Sequence, residues 1–417
     1  MTEVTDLRMG KKLPPGLLFV LVTLFLDVMG LGLSYPILPK LIEQFVGNIS
    51  TAAYYYGTVT TLFALMLFVF SPIQGALSDQ FGRKPVLLLS LFGTGLSYLA
   101  MAVAPNLTWL FAAQILNGIT GASVPVASAY IADVSPPETR AKNFGLLGAT
   151  LAAGWVIGPA LGGLLSFRGL QFPFLVAAIT TFVNLGYGFL MVSESYPQEH
   201  RRSFSWQRAN PIASLRLLGR SAKVLGLSAV MLCTSLALQC YLSTWVLFTT
   251  YKFHWTSFKA GLSLALLALV TATVQGGAIR PMIRRLGEQR TILVGLGCGL
   301  TGFLLYAVAP LGWMMYPVIV LNGFDFAVQP ISQGLLSSLI PPQEQGSIQG
   351  ALASQTAFAS IIAPLVATNL FGYFTSKNAF LQLPEVPFLL GSLLFGVALY
   401  WAIATFAQFN AQPVVPE

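Results

Sequence analysis

Residues 117–159 read NGITGASVPVASAYIADVSPPETRAKNFGLLGATLAAGWVIGP, and residues 322–364 read NGFDFAVQPISQGLLSSLIPPQEQGSIQGALASQTAFASIIAP. Asn117-Gly118 returns as Asn322-Gly323, Pro125 as Pro330, Pro136-Pro137 as Pro341-Pro342, Gly145 as Gly350 and Pro159 as Pro364. Every pair is 205 residues apart, without a gap. A constant offset over about forty residues argues that one unit, roughly half a chain long, occurs twice.

The chain has 417 residues, of which 55% are hydrophobic and 9% charged. Its mean hydropathy is +0.73. A soluble domain carries about 25% charged residues, so this is membrane domain throughout. Apolar runs of this length read as spanning helices. Twelve are expected, over 17–37, 54–77, 85–104, 107–132, 143–167, 172–193, 222–248, 260–280, 291–309, 312–338, 347–371 and 386–408. The first run lacks a cleavage pattern and is too long for a signal peptide, so it reads as a retained helix. The fold class is all-α, with two six-helix bundles over residues 1–193 and 222–417 and a polar linker over 194–221. Parallel halves in a membrane protein point to a transporter whose site lies between them.

The net charge of +8 follows topology and does not indicate a nucleic-acid partner. With both termini cytoplasmic, seventeen of the 22 lysines and arginines fall inside. Lys40, Arg168, Lys252, Lys259 and Lys377 fall outside, and this asymmetry sets the orientation in a cell inner membrane. Cys233 and Cys240, about 10 Å apart on one helix, are too distant for a disulfide. With Cys298 they read as small apolar residues.

A charge at the bilayer centre costs at least about 2.5–3.5 kcal/mol. Of the 14 acids, only Asp27 in helix one and Asp325 in helix ten sit at that depth, with no Lys or Arg beside them. A lone carboxyl in low dielectric can take up and release a proton near neutrality, which is the chemistry of a proton-coupled carrier. A neutral, hydrogen-bonded structural carboxyl is the plainer alternative.

On helix ten, Asn322, Asp325, Gln329, Ser332 and Gln333 fall on one side at helical spacing, a face suited to a water-filled substrate cavity. Gln114, Asn117, Gly121, Pro125 and Ser128 form the matching stripe on helix four, and Gln239 is a candidate on helix seven. Small polar residues also mediate helix packing, which is the more common use.

The loop after helix two runs Gly75-Ala76-Leu77-Ser78-Asp79-Gln80-Phe81-Gly82-Arg83-Lys84. Gly75 leaves room for a neighbouring helix, and Gly82 permits a tight turn. Asp79 suits the N–H groups at another helix's start. Arg83 can pair with Asp133, making a charge lock on the cytoplasmic surface that breaks when the halves rock. A basic loop that only sets topology is the alternative. On helix five, Gly154, Gly158 and Gly162 are four apart and form a smooth ridge. Pro159 follows Gly158, and Gly145 and Gly163 flank the ridge.

These residues resemble the major facilitator superfamily along the whole chain. Gly75 to Lys84 looks like its signature loop G-x-x-x-D-R-x-G-R-R, with Gln80 where a basic residue is usual. Gly145 to Gly163 matches the antiporter signature G-x8-G-x3-G-P-x2-G-G, which in the family marks proton-driven drug exporters. The chain is most similar to tetracycline-efflux proteins in Leu26 to Leu33, Phe81 to Ser90, Gly118 to Ala122 and Phe253 to Trp255. Asp27 matches an essential aspartate of that group. Ser97, Gln114, Thr271 and Gly299 stand where its helix-three aspartate, helix-four arginine, helix-eight histidine and helix-nine aspartate are found. The resemblance implies a monomer that exchanges a lipophilic small molecule for protons by alternating access.

Two other readings stay open: a proton-independent facilitator or uptake carrier, and a non-transporting sensor on the same fold. An enzyme is not expected, and neither is a metal or cofactor. The sequence holds no ligand cluster, nucleophile constellation or phosphate loop, and its two histidines, His200 and His254, fall outside the spans.

Overall fold

A computed structural model describes residues 15–121, 123–196, 199, 201, 218–341 and 344–410. Every regular element among the described residues is helical. The first half holds α1 (Pro15–Ser34), α2 (Leu38–Val46), α3 (Ile49–Phe81), α4 (Arg83–Ala102), α5 (Leu107–Thr120), α6 (Ser123–Val134), α7 (Pro137–Leu165) and α8 (Phe172–Met191). The second holds α9 (Ala222–Phe253), α10 (Ser257–Thr273), α11 (Ile279–Leu286), α12 (Glu288–Val308), α13 (Met315–Asn322), α14 (Val328–Ser338), α15 (Gln345–Thr375) and α16 (Val386–Asn410). A π segment, Val274–Ala278, joins α10 to α11, and a 3-10 segment, Gly323–Ala327, joins α13 to α14.

Local chemistry sets the ends. Asn48 caps α3 through Thr51 N at 2.7 Å, and Asn106 caps α5 through Trp109 N at 3.0 Å. Gly82, at φ +103°, turns α3 into α4; Gly287, at φ +78°, turns α11 into α12. Both φ values suit glycine. The two glycines are 205 residues apart, so the repeat extends beyond the stretch in which it is legible.

Among the described residues, eleven helices are long and apolar enough to cross a membrane. The twelfth segment, expected at 312–338, is divided at the 3-10 segment. Much of the linker at 194–221 lies outside the described residues, as do His200, Ala122 and Pro342.

Within the first half, α1 packs on α7 and α8, and α4 on α5 and α8. Within the second, α9 and α12 pack on α16. The second core is aromatic: Tyr241 stacks on Trp245 at 4.6 Å, with Tyr306 at 5.5 Å from Tyr241. The first relies on glycine. A Cβ on Gly154 would lie 3.0 Å from Val28, on Gly158 2.5 Å from Met29 O, and on Gly162 2.5 Å from Leu33 O. The expected ridge therefore faces α1, whose backbone approaches too closely for any larger side chain.

Two antiparallel seams join the halves, α3 against α15 and α7 against α10. Their contacts gather at the end away from Arg83. Ser50 and Thr375 share a hydroxyl hydrogen bond of 3.0 Å, and Thr61 donates to Ile361 O at 2.9 Å. Gly57 rests on Thr368, and Gly163 on Ser257 and Phe258. Lys40 Nζ donates to Trp255 O at 2.7 Å. Toward the basic end, Cβ positions built on Gly75, Gly145, Gly148, Gly276 and Gly277 meet nothing within 4 Å. Among the described residues, the halves are joined at one end, and these glycines of the other end have no neighbour. Gly75, expected to admit a neighbouring helix, stands free here because the seam does not reach it.

Candidate functional site

The fourth segment of each half breaks at the same place. α6 begins at Ser123 and α14 at Val328, again 205 residues apart. Pro125 and Pro330 each stand third in the new helix. Proline cannot donate to the carbonyl four residues back, and its ring clashes with that carbonyl. Proline is tolerated in a first turn, where its missing N–H costs nothing, although α3, α7 and α15 run on through Pro72, Pro159 and Pro364, so proline favours a break without forcing one. Each membrane-buried carboxylate lies at one of these breaks.

Asp27 reaches the first break from α1. Its carboxylate lies near the hydroxyl of Ser123, the opening residue of α6, without a well-formed hydrogen bond. It thus sits at a helix start, where N–H groups lack intrahelical partners and negative charge is favoured. Ser123 is 2% exposed, while Asp27 is only half-buried. Tyr98 of α4, whose buried hydroxyl has no partner among the described residues, rests against Gly30 one turn along. No ion pair among the described residues involves Asp27.

Asp325 lies inside the second break. Asn322 Nδ2 donates to its Oδ2 at 3.0 Å. Its Oδ1 is buried without a partner among the described residues, as are the hydroxyls of Tyr241, Tyr306 and Ser332. The two tyrosines approach each other without a well-formed bond.

The expectation of one open polar face on helix ten is corrected here. Asn322 is buried against Gly302 of α12, and Ser332 is fully buried. Gln329 donates to Ser235 Oγ of α9 at 2.7 Å, and Gln333 to Gln349 of α15. The 3-10 segment is the reason. At about 120° per residue instead of 100°, five residues rotate the later stripe by roughly 100° against the earlier one. Gln114 and Asn117 are likewise buried, bonded to each other at 3.4 Å, and Gln239 donates to Ser360 Oγ at 2.8 Å. In this conformation these side chains serve helix packing.

The loop after α3 forms a charge cluster. The Arg83 guanidinium is buried, pairs with Asp79, donates to Asp133 at 3.1 Å and to Ser78 Oγ at 2.7 Å, and lies 4.6 Å from the Tyr196 ring. The Arg83–Asp133 pair is as expected. Two features differ. All these partners lie in the first half or just after it, so the cluster spans no seam in this conformation. Asp79 does not accept from a helix start; Glu194 fills that role at α4, accepting from Arg83 N at 2.8 Å and Lys84 N at 3.2 Å. The Lys84 ammonium binds Phe189 O at 3.2 Å. Nothing in the sequence singles out Glu194, because its partner helix start is 110 residues away. Ser123 was equally unmarked, and the helices over 107–132 and 312–338 were expected to run unbroken; Pro125 and Pro330 are the sequence signal that points to the breaks.

Comparison with known proteins places these features in context. A model of the Major Facilitator Superfamily matches residues 20–364. The tetracycline resistance protein of class C from Escherichia coli is 39% identical over 355 residues, 85% of this chain and 89% of that protein. The class H protein from Pasteurella multocida is 32% identical over 406 residues, 96% of this chain and 98% of that protein. The crystal structure of the nucleoside transporter NupG superposes with a TM-score of 0.75 at 13% identity, covering 95% of this chain and 99% of that one, and shares the fold.

Proposed function

The chain belongs to the Major Facilitator Superfamily, and on that premise we propose that it exports a lipophilic small molecule across the cell inner membrane in exchange for protons, with Asp27 as the coupling group. The carrying observation is a half-buried carboxylate beside Ser123 at the start of α6, with no cation paired to it among the described residues. Such a group can be charged or neutral according to which side of the membrane it meets. The halves, residues 1–193 and 222–417, rock about the site with 194–221 as linker. The basic end is cytoplasmic by the positive-inside rule. An opening there and closure at the other end describe the state that loads cargo. Asp325 is a second proton site, and the Arg83 cluster organises the cytoplasmic gate. The resistance proteins' names make tetracycline the first compound to test.

Proteoliposomes with an imposed pH gradient test this. The natural chain drives uphill substrate movement that collapses with the gradient. Asp27→Asn loses the gradient-driven component and keeps substrate counterflow. Uphill transport by Asp27→Asn at the natural rate would remove Asp27 from the mechanism. Proton-independent facilitation is the second reading, favoured by Gln114, which accepts from Asn117 and is itself not titratable. Flux that ignores the gradient in the natural chain selects it.

A further inference from the structure

We propose that Glu138 of α7 and Arg284 of α11 form an ion pair between the halves when the basic end closes, and that the π segment Val274–Ala278 turns Arg284 toward it. The proposal rests on the alternating-access reading above.

Register comes first. Gly163 of α7 lies against Ser257 and Phe258, and Pro159 against Gly261. The helices are antiparallel, so 25 residues back along α7 from Gly163 is Glu138, and 25 forward from Ser257 is Met282. The pairing of Pro159 with Gly261 gives the same answer over 21 residues. Arg284 is thus level with Glu138 to within about 3 Å at 1.5 Å per residue.

Facing comes second. The 25 residues from Glu138 to Gly163 are about 6.9 turns, so Glu138 shares the face that Gly163 presents to α10. Arg284 lies 26 residues past Phe258 and 23 past Gly261, about 7.2 and 6.4 turns in a continuous α-helix. That would point it well away from α7. The π segment holds one extra residue in its turn. Discounting it leaves 25 and 22 residues, about 6.9 and 6.1 turns, which brings Arg284 round to the face of both contacts. Arg285 is rotated a further 100° or so.

Space and charge come third. Gly145 and Gly148 of α7, and Gly276 and Gly277 in the π segment, occupy the same level with nothing within 4 Å of a Cβ. Two glycine surfaces therefore face an open gap in which the backbones can meet. Glu138 and Arg284 at its rim are exposed, and neither makes an ion pair among the described residues. Glu288 follows Arg284 by four residues, but the turn at Gly287 separates them and they do not pair. The α3–α15 seam gives a control. Gly57 lies against Thr368, so Asp79, 22 residues on, is level with Gly346 at the start of α15.

Paired cysteines in the full chain, with Cys233, Cys240 and Cys298 changed to Ala, test this in membrane vesicles. One pair is Glu138→Cys with Arg284→Cys; the control is Asp79→Cys with Gly346→Cys. Both are expected to form disulfides under mild oxidation, and Glu138→Cys with Arg285→Cys several-fold less. If the control links and 138 with 284 does not, the ion pair is overturned while alternating access stands. If neither links, the basic end does not close and both fall. Charge reversal in the otherwise natural chain is the independent arm. Glu138→Arg and Arg284→Glu each slow transport several-fold, and the double reversal restores it. Failure of the double to recover, with both singles present in the membrane at natural levels, overturns the pair.

Discussion

Glycine at two positions of one helix serves opposite ends. Gly158 has Met29 O 2.5 Å from where a Cβ would be, whereas Gly145 has nothing within 4 Å. Gly158→Ala must push α1 away and is expected to cost about 1–3 kcal/mol. Gly145→Ala meets no obstacle in this conformation and gains helix propensity of about 0.5–1 kcal/mol. Thermal unfolding in detergent separates the two; equal shifts would contradict the packing described. Arg83→Ala strips charge-assisted hydrogen bonds from Asp79 and Asp133, each worth about 1.5–3 kcal/mol when partly buried. The same assay is expected to show a loss of that order, with Arg83→Lys between the two because an ammonium cannot reproduce the fork.

Irregular segments carry the chemistry at the scale of elements. The α5–α6 break puts Ser123 near Asp27, and Gly323–Ala327 holds Asp325 against Asn322. Pro125→Ala removes the clash and the missing donor that favour a break between α5 and α6. The variant is expected to be as stable as the natural chain or more so, yet to lose gradient-driven efflux while keeping counterflow. Vesicle transport with a thermal melt checks both halves of that statement. The π segment admits a similar test. Deleting Gly277 restores a plain α-helix and swings Arg284 by about 100°, so the disulfide between positions 138 and 284 should fall several-fold.

The whole molecule holds one end shut with few bonds. Lys40 to Trp255 O, Ser50 to Thr375 and Thr61 to Ile361 O cross between the halves there. Lys40 is the charged member, and its ammonium meets the carbonyl of Trp255, two residues past the end of α9, where the chain turns at His254 in the left-handed region. Lys40→Met is expected to shift the population toward opening at that end. A Thr61→Cys reporter in the same background would then react several-fold faster with a membrane-impermeant thiol reagent from the non-cytoplasmic side. Unchanged labelling would mean that the apolar seam alone sets the equilibrium.

The membrane class, the two-fold repeat and the glycine ridge were written in the sequence, since each rests on composition or on spacing along one helix. The helix breaks were not: both segments read as unbroken helices, although Pro125 and Pro330 stand in the first turn after each break. Which way a side chain faced was another matter. A 3-10 segment and a π segment each change the angle per residue, so the stripe from Asn322 to Gln333 divided and Arg284 turned toward α7. Helical periodicity assumes one constant angle and is blind to both. The approach of Asp27 to Ser123, the seat of Glu194 on the start of α4, and the end at which the halves meet depend on contacts between residues about a hundred to three hundred positions apart, and only the packed chain decides those.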